Sequence, residues 1–138
     1  MPTSEKQAKG KKTSTSPEGL EENLKKGTAE LLVLFLLRER EMYINEMTET
    51  LAARSGGRLN LSFPYAIIYR LLDIHYIELG EKRIAPDGRR RQYYRATPEG
   101  CAYLEKLLSV LDRFMGGVYQ VLSGEEGSVH GPSEPEKT

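Results

Sequence analysis

The chain has 138 residues, with 20 basic and 20 acidic side chains, one cysteine and no tryptophan. That length suits one domain with flanks, and a folded part of about 100 residues can bury a core without disulfides or metal. The lone Cys101 excludes an intramolecular disulfide and fits a reducing compartment; its plain reading is a small buried or half-buried residue. Zero net charge does not by itself point to nucleic acid, so that case rests on where the charge lies. No charged segment leads into an apolar run with a cleavage site, and the longest apolar run, Leu31 to Leu37, is too short to span a bilayer. The expected location is cytoplasmic, with no membrane partner.

Residues 1–19 are poor in apolar side chains and cannot offset their ordering entropy, so a disordered arm is expected there, biased positive by Lys6, Lys9, Lys11 and Lys12. Residues 20–97 read as the folded domain. A charged lead-in runs from Leu20 to Lys26. Gly27-Thr28-Ala29-Glu30 then opens the first helix, with Gly27 or Thr28 as cap. Leu31 through Leu37 is apolar on every side, as in a helix at the centre of a small domain. A second helix is predicted from Tyr43 to Arg54, with Ile44, Met47, Thr48 and Leu51 inward and Ser55-Gly56-Gly57 as its stop. Arg58-Leu59-Asn60-Leu61 reads as an extended link able to pair with a hairpin.

The third helix has Ser62 as cap and Pro64 in the first turn, where a missing N–H costs nothing. Ile67, Ile68, Leu71 and Leu72 recur at helical spacing and face a core, leaving Tyr65, Tyr69 and Arg70 for the other faces. A hairpin follows. Ile77, Leu79, Glu81 and Arg83 alternate with Glu78, Gly80, Lys82 and Ile84 along its first strand. Pro86-Asp87-Gly88 supplies the turn, and Arg89, Arg90 and Arg91 begin the return strand. Lys82, Arg83 and Arg95 add to this local positive excess. The fold class expected is therefore mostly α with a small β hairpin: a winged helix-turn-helix, the layout of a DNA-binding domain whose helix enters the major groove while the wing follows the backbone.

Thr97-Pro98-Glu99 starts the last helix as cap, first position and helix-dipole partner. It is predicted over residues 98–122, about 37 Å long. Leu104, Leu108, Leu111, Met115, Val118 and Leu122 form a heptad seam, widened by Leu107, Phe114 and Val121. That face is too broad for one small domain to cover, which points to a dimerisation helix packed on a second copy. Gly116-Gly117 implies a kink or a close helix approach. Residues 123–138 read as an acidic disordered tail.

The residues expected on DNA are Arg89, Arg90 and Arg91 from the wing, on phosphates or in the minor groove. Ser62, Phe63 and Tyr65 stand at the start of the third helix, within reach of base edges. Tyr69 and Arg70 either touch DNA or brace the wing. Lys25 and Lys26 at the first helix's start and Tyr43 at the second are further phosphate candidates. Phe114, Met115 and Tyr119 could line a ligand cavity between subunits, ordinary packing being the plainer role. Catalysis is not indicated: His75 and His130 are far apart, Cys101 has no base partner, and no phosphate-loop, zinc or paired-carboxylate signature is present. No metal or cofactor is expected. A winged helix that binds only protein is the rival reading, and RNA binding is a weaker one because no base-stacking platform is recognisable.

The order and spacing of these pieces resemble the PadR family of bacterial transcriptional repressors, in its short form with one C-terminal dimerisation helix. The resemblance covers about Leu24 to Leu122. Lys26-Gly27-Thr28-Ala29-Glu30-Leu31-Leu32 resembles the family's start, and Arg54-Ser55-Gly56-Gly57-Arg58-Leu59 the end of its second helix. Tyr65 falls on the tyrosine of the recognition helix, with Arg70-Leu71 at the right interval. Arg90 through Gly100 resembles the returning wing strand and the last helix's start. The chain departs from the family pattern at Ala66 (usually proline), at His75 (usually glycine, so that the cap before the wing would form differently) and at Tyr43-Ile44-Asn45 (commonly Tyr-Gly-Tyr). The resemblance implies a homodimer on a roughly palindromic operator with half-sites about 34 Å apart. It also implies release by a phenolic or other aromatic, cationic or drug-like ligand at the dimer interface.

Overall fold

The computed structural model describes residues 15–61 and 65–124. In chain order the elements are α1 (Pro17–Glu39), α2 (Ile44–Arg54), α3 (Tyr65–Asp73), β1 (Ile77–Ile84), β2 (Arg90–Ala96) and α4 (Pro98–Ser123). The strands form one antiparallel hairpin, so the mostly helical architecture with a single wing is as expected. Of the disordered arm expected over residues 1–19, residues 1–14 lie outside the described residues, as do the cap at Ser62-Phe63-Pro64 and the acidic tail from residue 125, whereas Pro17, Glu18 and Gly19 are helical. Packing divides the chain after Cys101, one turn into α4.

Helix α1 begins about three turns before the predicted Gly27. Ser16 is its N-cap, accepting from the Gly19 N–H at 2.9 Å, with Pro17 at the first position and Glu18 in the first turn. The capping signal at Ser16-Pro17-Glu18 thus overrides the polar composition that follows it. Gly27 and Thr28 sit inside the helix, where the Thr28 hydroxyl donates to the Leu24 carbonyl at 2.7 Å. Lys25 and Lys26 are correspondingly mid-helix residues rather than the first turn of an exposed helix end.

The core of the first unit is built on the apolar run of α1, where Val33, Leu34, Leu36 and Leu37 are buried. Met47 and Leu51 of α2, Ile68 and Leu71 of α3, Met42 and Ile77 are buried with them. The inward stripes of α2 and α3 are therefore narrower than predicted, since Ile44, Thr48, Ile67 and Leu72 stay partly exposed.

Two helix ends use the same device. At α2 the Gly57 N–H donates to the Ala52 carbonyl and the Gly56 N–H to Ala53, with both glycines at positive φ. At α3 the Tyr76 N–H donates to Leu71 and the His75 N–H to Leu72, with His75 at φ 64°. Both are the paired 6→1 and 5→2 bonds of a Schellman cap. His75 therefore adopts the left-handed conformation usually left to glycine, and the cap before the wing forms in the ordinary way. A β-carbon costs roughly 1–2 kcal/mol in that region, partly offset by the entropy glycine loses on folding. His75→Gly is expected to stabilise the fold by about 0.5–1 kcal/mol, read as a rise in the thermal midpoint.

The wing departs from strict alternation. Leu79 pairs with Tyr94 but Lys82 with Gln92, so β1 carries one residue more than β2 between these pairs. This bulge exchanges the two faces of the outer half of β1 relative to the inner half. The Gln92 side chain fills the irregularity by donating to the Gly80 carbonyl at 2.9 Å. The expected pairing of Arg58–Leu61 with the hairpin does not occur. Met42, just before α2, makes the third ladder contact instead, bonding Tyr94 in both directions at 3.2 and 2.9 Å.

Thr97 caps α4 as predicted: its hydroxyl accepts from the Gly100 N–H at 2.9 Å and donates to the His75 carbonyl at 2.7 Å. The helix runs for 26 residues and continues through Gly116-Gly117. Along it, Val110, Phe114, Tyr119, Val121 and Leu122 are exposed, while Leu107, Leu108, Leu111, Met115 and Val118 are half-buried. Leu104 differs. It is 0% exposed.

Candidate nucleic-acid interface

The wing tip is set by its turn. The Gly88 N–H donates to the Ala85 carbonyl and the Ala85 N–H to Arg89, each at 2.8 Å. Gly88 supplies the positive φ that this turn requires. Asp87 holds the far side: Oδ1 accepts from the Arg89 backbone N–H at 3.0 Å and Oδ2 from the Arg91 guanidinium at 2.7 Å. The Arg91 hydrogen bond, helped by the Arg89 N–H, keeps the Asp87 carboxyl below its ordinary range.

The sequence's block of positive charge separates into two groups. Arg83 and Arg95 both reach Glu41, at 3.2 and 3.1 Å, and Arg95 also binds Glu78 at 2.8 Å. Arg83 lies over the Tyr93 ring at 3.6 Å, and Arg91 stands 5.2 Å from the centroid of Tyr43. Tyr43 and Tyr93 meet edge to face at 5.3 Å and are buried with Ala85. Arg83, Arg91 and Arg95 thus brace the wing. Among the described residues no ion pair engages Lys82, Arg89 or Arg90, and all three are exposed.

Helix α3 presents Tyr65 and Tyr69, 60% and 59% exposed, with ring centroids 5.9 Å apart. Arg70 is tied to Glu30 of α1, its Nε donating at 3.0 Å and a second nitrogen to the same oxygen. It braces α3 on α1 rather than bracing the wing. An open cavity of about 170 Å³ joins the two elements, lined by Ile44 and Asn45 of α2, Tyr65, and Arg90, Gln92 and Tyr94 of β2. Tyr43, the N-cap of α2, makes no side-chain capping bond, so the positive end of that helix opens into the same cavity. Tyr43 itself is 7% exposed.

The structure therefore brings Tyr43, Tyr65, Arg90 and Arg91 to one cavity, with Tyr69 stacked on Tyr65 and Arg89 next to Arg90 in the chain. Lys26 is exposed on α1; Ser62 and Phe63 lie outside the described residues. Asn45 and Gln92 were missed in the sequence. The first was legible as a polar residue in the opening turn of α2, whereas the second depends on the bulge, which had no signal.

The sequence profile of the transcriptional regulator PadR-like family matches residues 33–106, more than half of the chain. The chain belongs to that family. A PadR family transcriptional regulator from Eggerthella lenta DSM 2243 has the same fold, with TM-score 0.62 at 27% identity over 76% of this chain and 87% of that one. A PadR-like transcriptional regulator from Bacillus cereus strain ATCC 14579 superposes with TM-score 0.62 at 23% identity, over 75% of this chain and 99% of that one. An uncharacterised protein of Lysinibacillus sphaericus is 28% identical over 102 residues, which span 67% of this chain and 93% of the relative. As a PadR-like protein the chain is a DNA-binding transcription regulator, of a family whose members typically dimerise. Among the described residues no helix is long and apolar enough to cross a membrane.

Proposed function

We propose that this PadR-like protein is a repressor that binds a roughly palindromic operator as a homodimer. The observation that carries the reading is that Arg90, exposed and unneutralised like its neighbour Arg89, lines one cavity with the exposed Tyr65 of α3. Arg89 and Arg90 would hold phosphates or the minor groove while Tyr65 and Tyr69 approach base edges. Residues 20–97 would form the DNA-binding domain and residues 98–122 the dimerisation helix. Two-fold symmetry then sets half-sites about 34 Å apart. An aromatic or drug-like ligand between the subunits would release the DNA by favouring a spacing that no longer matches it.

The test is a titration against the protein's own promoter DNA at two salt concentrations, with unrelated duplex as competitor. Tight, competitor-resistant binding is expected. Weak binding that vanishes with salt would leave a basic patch alone and favour a protein-binding winged helix.

The dimer has its own test. The apolar face of α4, with Phe114 65% and Leu122 72% exposed, is large enough to need a cover. Leu111→Glu is expected to yield monomers in sedimentation at micromolar concentration, because a carboxylate in an apolar helix seam is costly to desolvate. Persisting dimers would place the main interface elsewhere.

A further inference from the structure

Helix α3 has little with which to read most base pairs. Its described residues hold one cation, Arg70, and Arg70 is engaged by Glu30 through two guanidinium nitrogens. Asp73, the one carboxylate, stands at the C-terminal end. Neither asparagine nor glutamine occurs among them, so the usual bidentate partners of guanine and adenine are lacking. What the helix does expose is the pair Tyr65 and Tyr69, one turn apart and stacked at an interplanar angle of 27°. Two exposed rings beside a basic wing form an apolar surface that a bound duplex would cover.

We propose that Tyr65 and Tyr69 read thymine methyl groups in the major groove, so that each half-site carries thymines on neighbouring base pairs opposite α3. The proposal rests on the reading of the chain as a sequence-specific DNA-binding protein and names what that surface selects. Thymine alone among the bases offers a methyl group in the major groove. The rings are 5.9 Å apart, and base pairs rise by about 3.4 Å along a strand. The stack therefore covers methyl groups on adjacent or next-adjacent pairs. Arg90 and Tyr65 line the same cavity, so a duplex held at the wing brings its base edges to these rings.

The experiment selects duplexes from a random pool with the full chain, then remakes the enriched site with deoxyuridine in place of each thymine. Enrichment of thymine at two close positions per half-site is expected, with an affinity loss of about four-fold for each methyl removed, the worth of one buried methylene-sized group. Tyr69→Phe should keep this discrimination and Tyr69→Ala should lose it at one of the two positions. Tyr69 is 59% exposed, so neither change disturbs the core. An enriched site indifferent to deoxyuridine overturns the proposal. So does equal loss in the Phe and Ala variants, which would make the hydroxyl a phosphate donor. If no site is enriched at all, the reading of a sequence-specific regulator falls as well.

Discussion

Replacing Arg89 and Arg90 together with alanine is expected to weaken binding to every duplex alike, by roughly 10- to 100-fold near 0.1 M salt. Each arginine that neutralises a phosphate contributes about 0.9 to the slope of log affinity against log salt, so the double variant should have a slope shallower by about 1.8. Arg91→Ala should behave differently. Its guanidinium is held by Asp87 at 2.7 Å and lies near the Tyr43 ring, so its loss loosens the tip without removing a full phosphate contact. Both changes are at or near the surface, where effects on folding stability stay near 0.5 kcal/mol. Fluorescence anisotropy at four salt concentrations separates the cases. Unchanged affinity and slope in the double variant would overturn the wing assignment, and an equal slope change in Arg91→Ala would overturn the division of the arginines.

That division marks where reading the sequence stopped. The wing was legible because its signals are local: Pro86-Asp87-Gly88 acts within the turn, and three arginines follow directly. Which cations remain free depends on Glu41, more than 40 residues from both Arg83 and Arg95 in the chain. No periodicity carries that information. The same limit applies to Arg70 and Glu30, and to Met42, which took the ladder position expected of Arg58–Leu61. Other differences were local but outweighed. Ser16-Pro17-Glu18 has the form that correctly marked Thr97-Pro98-Glu99, yet the polar stretch after it read as a charged lead-in to the first helix. Leu20 and Leu24 stay exposed along that stretch, so the burial on which an apolar reading relies was absent from that part of the helix. At His75 the side chain misled, because the backbone bonds of the cap, not the residue type, determine the turn.

The joint between wing and last helix should be the least tolerant position in the first unit. A β-carbon built on Gly100 would lie 1.9 Å from the Tyr76 carbonyl oxygen and 2.8 Å from its carbon. That carbonyl cannot swing aside cheaply. It accepts from the Thr97 N–H at 3.1 Å, while the Tyr76 N–H is committed to Leu71 in the α3 cap. The Thr97 hydroxyl fixes the Gly100 N–H from the other side. Gly100→Ala must therefore break the α4 cap, the α3 cap or the end of the hairpin. A loss of about 3 kcal/mol is expected, lowering the thermal midpoint by roughly 10–20 °C. Gly116→Ala is the control on the same helix: a β-carbon there meets nothing within 4 Å in one copy of the chain, and helix propensity predicts a gain of up to about 1 kcal/mol. Calorimetry of both variants decides the matter. Near-wild-type stability in Gly100→Ala would mean that Tyr76 relaxes freely and that this joint does not lock the wing to the end of α3.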